Sequence, residues 1–230
     1  MDDVDERKTE ATRVAERLRE EIVRGVVAPA SKLKLAPLAT RYGIGRAPLR
    51  EAASKLAAER LLEFEDHRGY RVAPVSRADL LDVTRTRQRI ESMALADAIA
   101  HGDDAWEGGV MAALHRLLKC SPLDVGAEAQ LAFSQRHQAF HDALVAACPS
   151  RHLLRFRETL YAHSERYRAL AEHRYRQQPG SRDVAGEHRA LAEATVARDA
   201  PTACRLLEEH IERTARTLVD LLPDPSPKAG

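Results

Sequence analysis

Histidines are the residues whose type and spacing point most directly to chemistry. Ten of the 230 residues are histidine. His137 and His141 are four positions apart in a stretch with helical periodicity, so both imidazoles can reach one metal ion. His188 and His210 lie on two later predicted helices and can complete the set. Taken singly, each histidine is more simply a surface or core residue, so a metal site and a group of structural histidines both remain open.

Positive charge is the second feature with chemical meaning, because it is concentrated in one short segment. The whole chain has a formal charge of +1, yet residues 24–55 hold a local charge of +6, with Glu51 as the single acidic residue. The basic residues of this segment are Arg24, Lys32, Lys34, Arg41, Arg46, Arg50 and Lys55. Such a segment is typical of a surface that contacts nucleic-acid phosphates, although an ordinary solvated face can have the same composition.

Arg46 and Arg50 sharpen this interpretation through their position. They are four residues apart at the N-terminal end of a predicted helix, and therefore lie on one face of it. In a helix-turn-helix, this end of the second helix enters the major groove, where a guanidinium group can bind guanine or a phosphate. The alternative is an exposed ion pair with Glu51, which would contribute little.

The elements that would position these arginines occupy the first 75 residues. Helical periodicity covers three segments, 9–26, 33–42 and 46–60. Pro48 is compatible with the third helix because it falls in the first turn, where its missing N–H is not needed. From Leu61 to Val75 the apolar period becomes that of two short strands separated by a turn at 66–69. The prediction is three helices followed by a two-stranded wing, which is a winged helix-turn-helix.

The elements that would carry the four histidines are all helical. Ser76 is an expected N-cap, with Asp79 three residues later. Six helices joined by short turns are predicted, near 76–101, 103–119, 127–147, 150–176, 181–198 and 201–222. The expected fold class is mainly α, an N-terminal winged helix-turn-helix followed by an all-α six-helix bundle. The predicted domains are residues 9–75 and 76–222, with a disordered tail at 223–230.

Composition excludes several classes of protein. Aromatic residues make up only 4% of the chain, which disfavours an all-β sandwich or barrel. The three cysteines, Cys120, Cys148 and Cys204, are too scattered for a disulfide scaffold and predict reduced thiols. No apolar run is long enough for a membrane helix, and the charged N-terminus does not resemble a signal peptide. We therefore expect a cytoplasmic protein.

Several spaced motifs within about residues 11–75 resemble the DNA-binding domain of the GntR family of bacterial transcription regulators. They are Leu38-Ala39, Tyr42-Gly43-Ile44, the stretch GRAPLREAASKLAAERLL of residues 45–62, and Arg68-Gly69-Tyr70-Arg71-Val72. The resemblance implies operator contacts in the major groove and a wing in the adjacent minor groove. The implied contact residues are Arg46, Ala47, Pro48 and Arg50 on the helix and His67, Arg68 and Gly69 on the wing.

Four positions in this segment depart from the family pattern. Gly45 stands where Ser or Thr is usual, which removes a side-chain cap from the helix that follows. Leu35 and Ala36 stand where the family often has Glu and a basic residue, so no DNA contact is expected from them. Pro29-Ala30 replaces the usual Pro-Gly.

Residues 79–219 resemble the all-helical effector domain of the FadR branch of this family, at the length of its shorter VanR type. The motifs are Arg87, Ile90 and Glu91, then Phe140-His141, Glu187-His188-Arg189-Ala190-Leu191, and Glu209-His210-Ile211. Many members hold a divalent metal with one Asp and three His. Carried over by position, the ligands here would be His137, His141, His188 and His210, with His137 in place of the Asp. Arg87 would bind an effector carboxylate, unless it forms an intrahelical pair with Glu91.

The replacement of Asp by His137 has a chemical consequence. Four neutral imidazoles leave the charge of a divalent ion whole, whereas a carboxylate would neutralise part of it. Such a site attracts an anionic effector more strongly, and nitrogen ligands favour zinc, nickel or copper over calcium or magnesium. Zinc and nickel are the expected metals. In the alternative arrangement, His137 turns away and three ligands remain.

The function that these features predict is ligand-responsive transcription regulation. A dimer would bind a palindromic operator, and a small carboxylate metabolite would change its affinity for DNA, with release from DNA as the expected response of a repressor. One alternative is a metallohydrolase in which Glu187 would be the general base. A structural DNA-bridging protein is a third possibility, but it leaves the histidines unexplained.

Overall fold

The structure is a computed structural model that describes residues 9–121, 123–124, 126–177 and 182–222. Contacts between Cα atoms divide the chain into two compact units. Residues 1–79 and 162–170 form the first unit, and residues 80–161 and 171–230 form the second. Within the described ranges the chain is mainly helical, as the sequence predicts.

The first unit has the three predicted helices followed by a hairpin. Thr9 begins the first helix, because its hydroxyl accepts a hydrogen bond from the backbone N–H of Thr12. Leu18, Leu49 and Leu56 are fully buried where the helices meet. The elements, in chain order, are α1 Glu10–Val23, β1 Lys32–Leu33, α2 Leu35–Tyr42, α3 Arg46–Ala58, β2 Leu62–Glu65 and β3 Gly69–Val72.

The wing differs from the prediction, because the described sheet has three strands rather than two. Its order is β1-β3-β2 and both pairings are antiparallel, with Leu33 opposite Tyr70 and Leu62 opposite Val72. The strand that the sequence did not reveal, β1, is only 2 residues long. So short a segment cannot show the alternation by which strands are recognised.

The middle turns of a later helix also belong to the first unit. His163 Nε2 lies 2.8 Å from the carbonyl oxygen of Glu59, at the end of α3. Arg166 donates to the carbonyl oxygen of Ala73 at 2.5 Å, just after β3. The Tyr167 hydroxyl donates to Asp79. These three side chains fix a segment of one helix to the end of the winged module.

The described residues after the wing form six helices, most of whose turns belong to the second unit, and their number and order match the prediction. They are α4 Arg77–His101, α5 Asp104–Leu117, α6 Ala127–Leu144, α7 Arg151–Gln177, α8 Val184–Val196 and α9 Ala200–Leu221. Ser76 caps α4 as expected, since its hydroxyl accepts from the N–H of Asp79 at 3.1 Å. Asp183 and Asp199 cap α8 and α9 in the same way. The predicted tail at 223–230 lies outside the described residues.

The core of the second unit is aliphatic, with Trp106 and Phe140 as its large aromatic residues. Arg198, just after α8, donates to the carbonyl oxygens of Ile99 and Gly102 at the end of α4 and so connects the two helix ends. The three cysteines are free. Among the described helices, none is both long and apolar enough to span a bilayer.

Candidate metal centre and nucleic-acid interface

The four histidines singled out by their spacing come together inside the second unit. α6 contributes His137 and His141, α8 contributes His188, and α9 contributes His210. All four are buried, and each offers one nitrogen within 4.8 Å of the nitrogens of the others. Burying four polar rings together is costly unless they bind one another or a shared partner.

The arrangement of the four rings fits a single metal ion. The ring centroids are between 4.6 and 6.3 Å apart, with a mean of about 5.3 Å. A regular tetrahedron with edges of that length has its centre about 3.3 Å from each corner. That distance is close to a metal–nitrogen bond of about 2.1 Å plus the roughly 1.2 Å from a ring nitrogen to the ring centroid.

Two of the nitrogens already stand at the separation of neighbouring ligands. His137 Nε2 and His141 Nε2 are 3.2 Å apart. Two bonds of about 2.1 Å to one ion would subtend about 100° across that gap, which lies between the octahedral and tetrahedral values. His141 Nδ1 is buried without a hydrogen-bond partner among the described residues.

The outer nitrogens of two rings are held by side chains outside the cluster. Tyr161 on α7 places its hydroxyl 3.1 Å from His137 Nδ1. Glu187 on α8 places Oε2 2.9 Å from His210 Nδ1. A partner on Nδ1 turns Nε2, with its free electron pair, toward the centre of the cluster.

Ionisation in the cluster also favours metal binding. Burial, followed by repulsion from His210 and His188 when they are protonated, holds the pKa of His141 well below its ordinary value. Burial also lowers the pKa of His210, against the opposing effect of Glu187. Both rings are therefore neutral near pH 7, which is the form that binds a metal.

A buried ionic network lies beside the histidines. The Arg87 guanidinium donates to Glu91 at 2.5 Å along α4, and Arg157 on α7 reaches the other oxygen of that carboxylate at 3.3 Å. Arg157 also pairs with Asp142 at 2.5 Å. Both guanidinium groups lie over the ring of Tyr161, at 4.8 and 5.6 Å from its centroid. The intrahelical pair of Arg87 with Glu91, one of the two roles weighed from sequence, is therefore present.

The charge of Glu91 follows from this network. Burial alone would raise its pKa, but Arg87 and Arg157 outweigh that effect and lower it. The described network thus buries two cations around one ionised carboxylate, with Asp142 half exposed at its edge. The buried part of the network is therefore positive, and the half-exposed Asp142 brings the formal charge of the whole network to zero.

The predicted DNA contacts of the first unit lie at the surface. Arg46 and Arg50 are exposed at the start of α3, Ala47 is exposed, and Pro48 is half-buried. Neither arginine forms a salt bridge in the part of the chain that the structure describes. Glu51, their alternative partner, pairs with Lys55 instead at 2.9 Å.

Backbone conformation shapes both ends of this surface. Gly45 is the N-cap of α3 and supplies no side-chain hydrogen bond, as its type predicts. On the wing, His67 and Arg68 are exposed, and the turn places His67 at φ 61° and Gly69 at φ 86°. Positive φ values of this kind produce the tight turn that projects the two side chains.

Sequence spacing missed the residues that surround the histidines. Tyr161 and Arg157 carry no motif that links them to the cluster, and they approach it only through folding. Asp142 is next to His141 in sequence, yet it contacts Arg157 on α7. Glu187 is next to His188 in sequence, yet it contacts His210 on another helix. Its role as a partner of a ligand could not be read from adjacency.

Comparison with known proteins identifies the class of this chain. Residues 10–72 match the bacterial regulatory proteins of the gntR family, and residues 82–213 match the FCD domain. The chain is 40% identical over 195 residues to the HTH-type transcriptional repressor GlaR of Escherichia coli (strain K12), covering 84% of this chain and 89% of that protein. It is 38% identical to the HTH-type transcriptional regulator BphR of Paraburkholderia xenovorans (strain LB400), covering 86% and 80%.

Comparison with solved structures supports the same fold. The structure described as E. coli McbR/YncC superposes with a TM-score of 0.76 at 19% identity, covering 93% of this chain and 98% of that one. The chain therefore belongs to the GntR family and carries an FCD domain, as the motifs implied. It is a transcriptional regulator. Members of this family are not enzymes, so the metallohydrolase alternative is not retained.

Proposed function

We propose that this regulator is a repressor whose affinity for a palindromic operator is set by a small carboxylate metabolite, bound at a metal in the helical domain. The observation that carries the proposal is the burial of four histidines beside two buried guanidinium groups that share one buried carboxylate. The repressor GlaR, at 40% identity, supports the direction of regulation. We assign residues 9–75 to DNA binding and 76–222 to effector binding and dimerisation.

His137, His141, His188 and His210 would hold the metal. Their four nitrogen ligands favour zinc or nickel over magnesium or calcium. When bound, the ion would supply a Lewis-acidic centre that attracts an anionic oxygen. Burial lowers the pKa of His141 and His210 and so keeps these two rings neutral near pH 7, and Tyr161 and Glu187 orient the rings of His137 and His210.

Arg87 would recognise the effector. Its guanidinium is buried in the second unit and lies over the same Tyr161 that contacts His137. A carboxylate that approached the histidines would meet this cation, with Arg157 as a second one close by. The excess of buried positive charge supports an organic acid rather than a neutral or cationic metabolite.

DNA binding would rest on the exposed residues of the first unit. Arg46, Ala47, Pro48 and Arg50 would read the major groove, and His67, Arg68 and Gly69 would reach the minor groove. The absence of salt bridges at Arg46 and Arg50 within the described chain leaves their charge available for phosphate or guanine. A two-fold dimer would place two such surfaces on an operator with matching symmetry, in the cytoplasm where the DNA is.

α7 offers a covalent connection between effector binding and DNA binding. Tyr161, beside the histidines, is followed directly by residues 162–170, which hold the end of the winged module through His163, Arg166 and Tyr167. A change at Tyr161 on effector binding would be passed along one continuous helix. Release of DNA is the response expected of a repressor.

Metal content tests the first half of this proposal. We expect zinc or nickel near one equivalent per chain in the purified protein, measured by plasma mass spectrometry. His141→Ala should lose the metal, whereas His115→Ala, which changes an exposed histidine of α5, should retain it. A protein that carries only magnesium, or no metal after incubation with zinc, would contradict the proposal.

DNA binding tests the second half. A labelled duplex selected from a random pool by the protein itself serves as the operator, and fluorescence anisotropy measures affinity with and without zinc. A panel of small mono- and dicarboxylates should contain members that weaken binding by the wild type but not by His141→Ala. Equal responses of the two proteins would separate effector recognition from the metal site.

A further inference from the structure

Glu187 occupies a position that the metal site alone does not explain. It lies in the first turn of α8, one residue before the ligand candidate His188, but its carboxylate contacts His210 on α9. Its side chain is largely buried, at 13% exposure. A buried carboxylate beside a histidine nitrogen is the arrangement by which proteins orient metal-binding imidazoles.

Both oxygens of Glu187 are fully engaged. Oε2 accepts from His210 Nδ1 at 2.9 Å and from Arg182 Nη2 at 2.5 Å. Oε1 accepts from Arg182 Nε at 2.8 Å and from Arg213 Nη1 at 3.2 Å. A carboxylate has about four acceptor sites, and here all of them are used. Glu187 therefore has no acceptor site left with which to bind a metal ion or to act as a general base.

The hydrogen bond to Glu187 selects one form of His210. An ionised carboxylate only accepts, so His210 Nδ1 must carry the proton and Nε2 must carry the free electron pair. Arg182 Nη2 also lies 3.3 Å from His210 Nδ1, but a guanidinium cannot accept that proton. Its productive bond at this residue goes to the backbone oxygen of His210, at 3.0 Å.

Arg182 fixes the carboxylate by joining the start of α8 to the middle of α9. Besides its two bonds to Glu187, it donates to Thr214 Oγ1 at 3.0 Å. The next residue, Asp183, caps α8 by accepting from the N–H of Gly186 at 2.8 Å. The beginning of α8 is thus held from two sides, and Glu187 has one position available.

We propose that Glu187 is the positioning residue of the metal site, acting only through His210 and held in place by Arg182. This inference rests on the proposed metal function. In this inference α8 contributes twice to the site. His188 is one of the ligands, and Glu187 orients His210 on α9. Removing such an outer partner typically lowers metal affinity about 10- to 100-fold.

Zinc affinity of the full chain tests the inference, measured by competition with a chromophoric chelator. Glu187→Gln keeps an acceptor but loses the charge, so its affinity should fall about tenfold, and Glu187→Ala should approach a hundredfold loss. Glu212→Gln is the matched control, because it removes a half-exposed partner of Arg216 on the same helix as His210. The control should bind zinc as the wild type does.

A double-mutant cycle distinguishes positioning from a general structural role. If Glu187 acts only through His210, then Glu187→Gln should cause no further loss of zinc affinity in a His210→Ala background. In metal-free protein, ring ¹⁵N shifts should show the Nδ1–H form of His210, and Glu187→Gln should reduce its population. The cobalt absorption bands of Glu187→Gln should also differ from those of wild type.

The outcomes separate this inference from the function on which it rests. Wild type that binds neither zinc nor cobalt would overturn both. Wild type that binds zinc, together with Glu187 variants that bind it within twofold of Glu212→Gln, would overturn the positioning role alone. An equal loss from Glu187→Gln with and without His210 would also overturn it, because the residue would then act by another route.

Discussion

The two units of this regulator handle charge in opposite ways. The first unit leaves Arg46 and Arg50 exposed at the start of α3, without salt bridges in the described chain. The second unit buries Arg87, Glu91 and Arg157 together, next to four buried histidines. One unit keeps its functional charge in solvent, and the other removes it from solvent and fixes its geometry.

This difference reflects two kinds of recognition. A polyanion such as DNA is attracted over several ångströms by exposed cations, and its affinity depends on salt because counterions are released. A small ligand or a metal ion is bound over one or two bond lengths, where orientation decides affinity. On the function proposed above, the second unit needs partners such as Tyr161 and Glu187 to orient its histidines, whereas the guanidinium groups on α3 need only be accessible.

The largest expected effect comes from breaking the buried network. Glu91→Gln leaves two buried guanidinium groups without the carboxylate they share, which should lower the free energy of unfolding by about 3–5 kcal/mol. Glu51→Gln removes the exposed partner of Lys55 and should change it by less than about 0.5 kcal/mol. Urea unfolding of metal-free protein measures both. Similar changes in the free energy of unfolding for the two variants would mean that solvent reaches the buried network. The second unit would then not differ from the first in how it holds charge.

The next effect tests the exposed side of the comparison. Arg46→Ala and Arg50→Ala should each weaken operator binding by about 1–3 kcal/mol while leaving the free energy of unfolding nearly unchanged. Where the contact is to phosphate, the salt dependence of binding should decrease by about one counterion. Arg41→Ala is the matched control. This arginine forms a salt bridge with Glu21, so its charge is less available to DNA than the charges of Arg46 and Arg50. If Arg41→Ala alone lost operator binding, the DNA interface would have to be assigned to a surface other than α3.

Sequence was a good guide where the information is local. The six helices of 77–221 follow from a 3.6-residue period and from caps such as Ser76, and the structure confirms their number and order. The spacing of His137 and His141 is also local, because four residues span one helical turn. The strand β1 was missed, since two residues carry no period.

The rest of the site depends on contacts between distant residues. Glu91 meets Arg157 across 66 positions, and His137 meets Tyr161 across 24. Such pairs leave no spacing rule in a single sequence, because any of several helix packings could bring different residues together. The side chains that orient the histidines could therefore be identified only in the folded structure, whereas the histidines themselves stood out by type and interval.

The smallest expected effect concerns His163, a half-buried histidine of the first unit, which departs from that unit's pattern of exposed charge. Burial lowers the pKa of His163, more than its bond to the carbonyl oxygen of Glu59 raises it. At pH 7 the ring is neutral in both the folded and the unfolded chain. Below the ordinary histidine pKa of about 6.5, the unfolded chain gains a proton that the folded chain excludes. Acidification should therefore destabilise the fold, until the pH reaches the lowered pKa.

His163→Gln isolates this effect, because glutamine can still donate to the oxygen of Glu59 but does not titrate. From pH 7 to pH 5 the wild type should lose stability relative to the variant, by at most about 1.4 kcal/mol per pH unit. Urea unfolding at several pH values measures the difference in free energy of unfolding between the two proteins. Both contain the four-histidine cluster, so its titration contributes equally to each and cancels. Parallel curves for the two proteins would show that His163 takes up its proton as readily in the folded chain as in the unfolded chain, and that the first unit excludes solvent less completely than its packing at Glu59 implies.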